Sequence, residues 1–328
     1  MKFSRRTGNT EARSGRLDGE NGRMLGKIIA AVLAVYLVIC LLVGWYWSRE
    51  PDLEGLTVVP VGNTEGLTTG SYTARTVREL ARTLLDKPGG FLSNDITPPG
   101  IWLDNMPSWE FGVLVQVRDI TRSMRRDMAR SQSQSTEDPA LSKAEPLFHF
   151  DHNSWAMPAS ESEYRSGIRQ LDDYITRLES GNASFYTRAD NLAGWINDVS
   201  TRLGSLSQRL SASVARTPLS DGGRERKQTP WLQIDNVFYE ARGSAWALAH
   251  LLRAVEKDYA DVLNNKNALV SLRQIIRELE ATQAPMWSPV ILNGGGFGML
   301  ANHSLVMANY LSRANAGLID LRRLLEQG

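Results

Sequence analysis

An all-α protein, with one N-terminal transmembrane helix followed by an extracytoplasmic helical bundle containing long coiled-coil-like helices, is the fold class that three observations predict. Ile28 to Trp47 is an uninterrupted run of twenty uncharged residues, IIAAVLAVYLVICLLVGWYW. Beyond it, apolar residues recur at steps of three and four, and Gly and Pro gather between these periodic stretches. Composition is the third: 37 basic against 36 acidic residues, 42% hydrophobic residues and one cysteine in 328 positions. Those values fit neither a collagen, a disordered tail nor a disulfide scaffold. A net charge of +1 leaves no basic excess to neutralise a phosphate backbone, so nucleic acid is not an expected partner.

As a helix, twenty residues run about 30 Å, the thickness of a bilayer's hydrocarbon core. A cleaved signal peptide has a shorter apolar region that ends in small residues. Here the run ends in Trp45, Tyr46 and Trp47, whose apolar bodies and polar edges suit the headgroup layer. The lipid bilayer is therefore the partner expected for Ile28 to Trp47. Residues 1–27 carry seven basic residues, Lys2, Arg5, Arg6, Arg13, Arg16, Arg23 and Lys27, against Glu11, Asp18 and Glu20. That bias predicts a cytoplasmic N-terminus and an exported remainder. Four segments follow: a disordered basic arm at 1–27, the span at 28–47, a Gly- and Pro-containing tether at 48–71 and an extracytoplasmic α-helical domain at 72–328. Cys40 lies in the span, so the exported part has no thiol. A second apolar run of 18 residues is lacking, which makes this a single-pass chain.

In the exported part, Ser71 is expected to cap a helix running to about Lys87, stopped by Pro88, Gly89 and Gly90. Residues 91–107 read as irregular because of Pro98, Pro99 and Pro107. Ser108 then starts a helix whose stripe is Val113, Val117, Ile120, Met124 and Met128. The polar run at 131–138 reads as an exposed loop, and 139–158, with Pro139, Pro146 and Pro158, as irregular chain. Ser160 and Glu163 have the spacing of a capping box for a helix carried by Tyr164, Ile168, Leu171, Ile175 and Leu178 to Gly181. Leu192, Ile196, Val199, Leu203, Leu206 and Leu210 form one seam. Ile234, Phe238, Ala241, Ala245, Leu248, Leu252, Val255, Tyr259 and Val262 form another. The two predict an antiparallel, coiled-coil-like pair joined by a loop with Pro218, Asp221, Gly222 and Gly223, with Thr229 and Pro230 starting the second member. After an interruption at 264–267, Leu269, Leu272, Ile276 and Leu279 resume a helix. A last one is expected from about Met299 to Leu325, with Leu300, His303, Met307, Leu311, Ala314, Leu318, Leu321 and Leu325 on one face.

Candidate chemistry is sparse, and the sequence assigns no catalytic residue and no cofactor. The densest set of metal-ligand types is His149, Asp151 and His152, with imidazole and carboxylate suited to zinc or iron. In a strand His149 and Asp151 share a side, and in a helix His149 and His152 do, so neither conformation joins all three. His303, on the last stripe, is the distant histidine placed to complete them, and packing against the core is its other reading. Gly294, Gly295, Gly296 and Gly298 lead into the last helix, as a phosphate-binding turn does, but without GK[ST]. A loop folded tightly over its neighbours is the alternative. Glu161 and Glu163 stand at a helix start, where murein-cleaving enzymes place their acid, without the motifs that accompany it.

Three stretches, Asp104 to Gly112 (DNMPSWEFG), Phe148 to Trp155 (FHFDHNSW) and Ser288 to Ala316 with its NGGGFGMLANHS core, resemble a family of Gram-negative bacterial envelope proteins known only as a domain of unknown function. The resemblance implies a single-span inner-membrane protein with a periplasmic domain and brings no catalytic residue. The expected function is that of a membrane-anchored periplasmic structural or interaction protein with a protein partner in the envelope. The alternative is an envelope enzyme, metal-dependent or murein-active, using the 149–152 cluster or Glu161 and Glu163.

Overall fold

The computed structural model describes residues 11–54, 67–132, 135–213, 229–286, 288, 290–294 and 300–327. They form two compact units, 1–47 and 48–328. Among the described residues there are ten α-helices and no strand, as the apolar periodicity predicts. The first unit is the helix α1, Glu11–Trp47, of which Met24–Trp47 is long and apolar enough to cross a membrane. Val32, Leu33, Leu41 and Leu42 are all at least 60% exposed, unlike the side chains of a buried core helix. The disordered arm expected at 1–27 is corrected from Glu11 onward. An apolar helix already formed propagates outward cheaply, because each added residue gains a hydrogen bond without a new nucleus.

The second unit is a helical bundle built on α3, Asn105–Ser123, and α7, Ile234–Asp258. These two pack along most of their length, and their crossing is set by a pair of glycines. A Cβ on Gly112 would lie 2.1 Å from the Glu240 carbonyl oxygen, and one on Gly243 would lie 2.1 Å from that of Trp109. Only hydrogen fits at either position. Trp109 and Trp246 meet beside the crossing with ring centroids 5.2 Å apart. Around this pair, α2 (Ser71–Asp86), α4 (Pro139–Phe148) and α5 (Ser160–Glu179) form one group, and α6 (Ala189–Ser211), α9 (Leu269–Ala281) and α10 (His303–Glu326) another. The short α8, Ala260–Asn265, links α7 to α9.

The seam from Leu192 to Leu210 is buried throughout, and each such side chain contributes about 1.5–3 kcal/mol. Its partner differs from expectation. The seam of α6 packs chiefly on α10, while α7 packs chiefly on α3, so the predicted antiparallel pair of α6 and α7 is corrected. Nor is α7 one long helix to Val262, since the chain turns at Tyr259. The loop residues 218–223 lie outside the described residues.

Prolines account for two further differences. The 139–158 stretch is not all irregular: Asp138 caps α4, accepting from the Ala140 and Leu141 amides at 2.9 and 3.1 Å, with Pro139 at the first position. A proline there gives up only an amide that has no helical partner anyway. For the same reason α3 starts at Asn105, with Pro107 in its first turn, rather than at Ser108. The second helix is capped from another element. The Asp258 carboxylate, at the end of α7, accepts from the Gly70 and Thr73 amides at 2.8 and 2.7 Å and from Thr73 Oγ1. Gly70 adopts φ 90°, and a Cβ there would strike Phe185.

These bonds also correct the tether. At its far end Gly70 is fixed to α7 through Asp258. At its near end the Arg242 Nε donates to Glu50 at 2.5 Å, and Trp246 Nε1 donates to the Asp52 carbonyl at 3.4 Å. The described parts of 48–71 are therefore fastened to the bundle, and 55–66 lie outside the described residues.

Candidate functional site

The 148–155 stretch turns out to be the joint between α4, α5 and α3. His149 ends α4, where its Nδ1 lies 2.9 Å from the Glu145 carbonyl and its Nε2 2.6 Å from Arg122 Nη2. Arginine can only donate, so Nε2 accepts and Nδ1 carries the proton that goes to the carbonyl. Neither nitrogen keeps a lone pair for a metal. His152 lies instead against Phe111, with centroids 4.9 Å apart. Phe111 and Arg122 are about 16 Å apart along α3, so the two imidazoles diverge. Burial, then the charge of Arg118, holds His152 below the ordinary histidine range. Asp151 is exposed and accepts from the Asn153 amide at 3.0 Å. Arg118 completes the joint, donating to the Phe148 and Phe150 carbonyls at 2.7 and 2.8 Å, and the Tyr164 hydroxyl also donates to Phe150. Burial pushes Tyr164 up to about 12.

The capping box at Ser160 and Glu163 is corrected. Ser160 Oγ donates to the Asp151 and Ser154 carbonyls at 2.7 and 3.0 Å, and Ala159 holds the cap position with no side-chain bond. Glu161 accepts from Asn94 Nδ2 at 2.7 Å. Burial and the nearby Glu161 carboxylate raise Asp95 above its ordinary range. Glu163 lies in the same first turn of α5, and the two glutamates share no described partner.

His303 is half-buried at the start of α10, where its Nδ1 accepts from the Leu292 amide at 2.9 Å while its own amide donates back to the Leu292 carbonyl. Asn302 caps α10 and also holds the Gly294 carbonyl through Nδ2 at 2.6 Å. Gly294 packs on Leu300, whose carbonyl oxygen a Cβ would meet at 2.3 Å. The described part of this loop is thus tightly folded, and Gly295, Gly296 and Gly298 lie outside the described residues. Leu300, expected on the last stripe, precedes the helix and is exposed. Among the described residues, no three His, Cys, Asp or Glu side chains group as metal ligands.

The strongest polar features are ones that sequence reasoning missed. Lys87 and Glu110 form an ion pair of 2.5 Å with side chains 1% and 0% exposed. Glu110 also accepts from the Leu92 and Ser93 amides and from Ser93 Oγ, and Lys87 donates to the Gly90 carbonyl at 2.6 Å. Burial raises the Glu110 carboxyl, with Lys87 opposing. A signal was present: Glu110 falls on the stripe of Val113 and Val117, where a charge needs a partner. The second feature is Arg242, which beyond Glu50 donates to the carbonyls of Thr282, Gln283 and Ala284. Between the Glu50 segment and α2 opens a cleft of about 440 Å³. Arg49, Glu79, Arg82 and Asp86 give its walls both signs of charge.

The model of a family described as an uncharacterized protein conserved in bacteria, DUF2333, matches residues 20–328. No curated protein and no solved structure matches the chain. Since the family match takes in the apolar helix and the whole of the bundle, the chain belongs to the DUF2333 family of bacterial proteins.

Proposed function

We propose that this protein is a membrane-anchored structural or interaction component of the bacterial envelope, held in the inner membrane with its N-terminus cytoplasmic and its bundle periplasmic. The basic flank before the apolar run supports the orientation. The interaction role rests on one observation. The polar side chains that suggested chemistry hold the 148–160 joint together, and that joint presents Trp155 at 62% and Met157 at 97% exposure. Two large apolar side chains held in water on one well-bonded loop support a docking role. A periplasm-active reporter fused after Gly328 should be active, and a photo-crosslinking residue at Met157 should capture a discrete envelope protein in intact cells. A reporter active only in the cytoplasmic form overturns the orientation.

An envelope enzyme is the second reading, and the raised Asp95 carboxyl beside Glu161 favours it. Loss of a murein-cleaving activity of the purified protein in Asp95→Asn would promote it.

A further inference from the structure

Ile96, Ile101 and Trp102 project from the 92–103 loop at 52, 55 and 53% exposure. The loop is built to hold them there. Ile101 donates its amide to the Thr97 carbonyl at 3.1 Å, Leu103 donates to Gly100 at 2.9 Å, and Asn94 Nδ2 donates to the Ser154 carbonyl at 2.7 Å. Gly100 lies so close to Asp95 that a Cβ would meet its carboxylate oxygen at 2.1 Å. Two isoleucines and an indole held outward leave in water apolar surface that burial would remove.

Their position indicates what covers them. Trp102 and Ser48 line one small cavity of about 210 Å³, together with Met106 and Tyr239. Ser48 follows Trp47, the last residue of the apolar helix, by one peptide bond. Slack between them is excluded, because Glu50 and Asp52 are bonded to Arg242 and Trp246. Whatever direction the helix takes, the Trp102 loop lies on the order of 10 Å from the point where the chain leaves the apolar run. We propose that Ile96, Ile101 and Trp102 insert into the interfacial layer of the same bilayer that anchors the chain. The bundle then lies on the membrane surface instead of standing away from it. The proposal rests on reading Met24–Trp47 as a membrane anchor. An indole with its polar edge and two branched aliphatic side chains have the chemistry of that layer. Asp95 lies within the loop and Asp104 follows it, so attraction to anionic headgroups is not the driving force, and insertion should be insensitive to salt.

The test uses the full chain with its single cysteine removed, Cys40→Ala, reconstituted in vesicles of phosphatidylethanolamine and phosphatidylglycerol. A nitroxide is attached at Trp102→Cys, at Ile101→Cys, at Val35→Cys within the apolar run and at Val270→Cys, an exposed position on α9. Collision with oxygen, which partitions into lipid, is compared with collision with a water-soluble nickel complex. The expected result is an oxygen-to-nickel ratio at 101 and 102 severalfold above that at 270, unchanged by 0.5 M salt (about a twofold shorter screening length than at physiological strength). A ratio at both positions equal to that at 270, with 35 in lipid, overturns the proposal and leaves the anchor standing. Shielding from both reagents overturns it in favour of a protein occupant. A label at 35 in water overturns the anchor reading and the proposal together.

Discussion

His250 should make the bundle lose stability as the pH falls from neutral to 5, by an amount that a single substitution removes. The side chain is 5% exposed on α7, its Nε2 has no hydrogen-bond partner, and its ring stands edge-on to Trp246 at 4.7 Å. Burial, then the charge of Arg253, lowers its pKa from 6.5 to about 4. In the unfolded chain the imidazole takes up a proton near pH 6.5, whereas in the folded protein it does so only near pH 4. Between those values the unfolded state binds more protons, so stability falls as the pH falls, and below pH 4 the loss is complete. The whole shift amounts to about 3 kcal/mol, of which about 2 kcal/mol is lost between pH 7.5 and 5. Glu50, Glu110 and Asp258, whose carboxyls burial raises, act with the opposite sign. The difference between parent and His250→Leu therefore isolates the histidine. Urea unfolding of the 48–328 unit, followed by tryptophan fluorescence at pH 7.5 and 5.0, should show the parent losing about 2 kcal/mol more than the variant. In melting temperature that is about 4 °C. Equal losses in the two proteins would refute a buried, neutral His250.

Lys87→Met leaves the Glu110 charge buried without its cation and should destabilise the 48–328 unit by about 3–5 kcal/mol, read as a shift of the urea midpoint. Lys87→Met combined with Glu110→Gln should recover at least half of that loss, because the Leu92 and Ser93 donors keep an acceptor. Protein purified without chelator or a metal-binding tag should hold less than one zinc, iron or manganese per chain by elemental analysis. His149→Ala should weaken the unit by about 1–2 kcal/mol through the lost bonds to Arg122 and Glu145 while keeping its helical content. One tightly held metal per chain, absent in His149→Ala, would restore the metalloenzyme alternative.

Seams were legible in the sequence because burial imposes a period on the side chains, and Leu192 to Leu210 and Leu311 to Leu325 are buried as that period requires. Partners were not. A stripe reports that a helix has a covered face, not which helix covers it, and α6 found α10 more than a hundred residues away instead of its neighbour α7. Prolines at 107 and 139 read as breakers because a breaker and a first-turn proline are the same residue, distinguished only by where the helix begins, while Pro146 lies inside α4 near its end. The candidate ligands were visible as residue types, but their orientation depended on Arg122 and Phe111 of a separate helix. Lys87 and Glu110 escaped notice for the opposite reason: charges are expected at the surface, and only the fold brings them together in the interior.

Arg242, which holds Glu50, is the neighbour in sequence of Gly243, one of the two glycines at the crossing of α3 and α7. Tension applied through the N-terminal helix would therefore enter the bundle at its tightest contact. Glu50, Asp52 and Gly70 are fixed at two places on the same helix, near its middle through Arg242 and Trp246 and at its end through Asp258. A pull is resisted by shear across α7 and α3 rather than by unzipping of α2. Such an attachment carries a displacement of Glu50 and Asp52 directly to the crossing of α3 and α7.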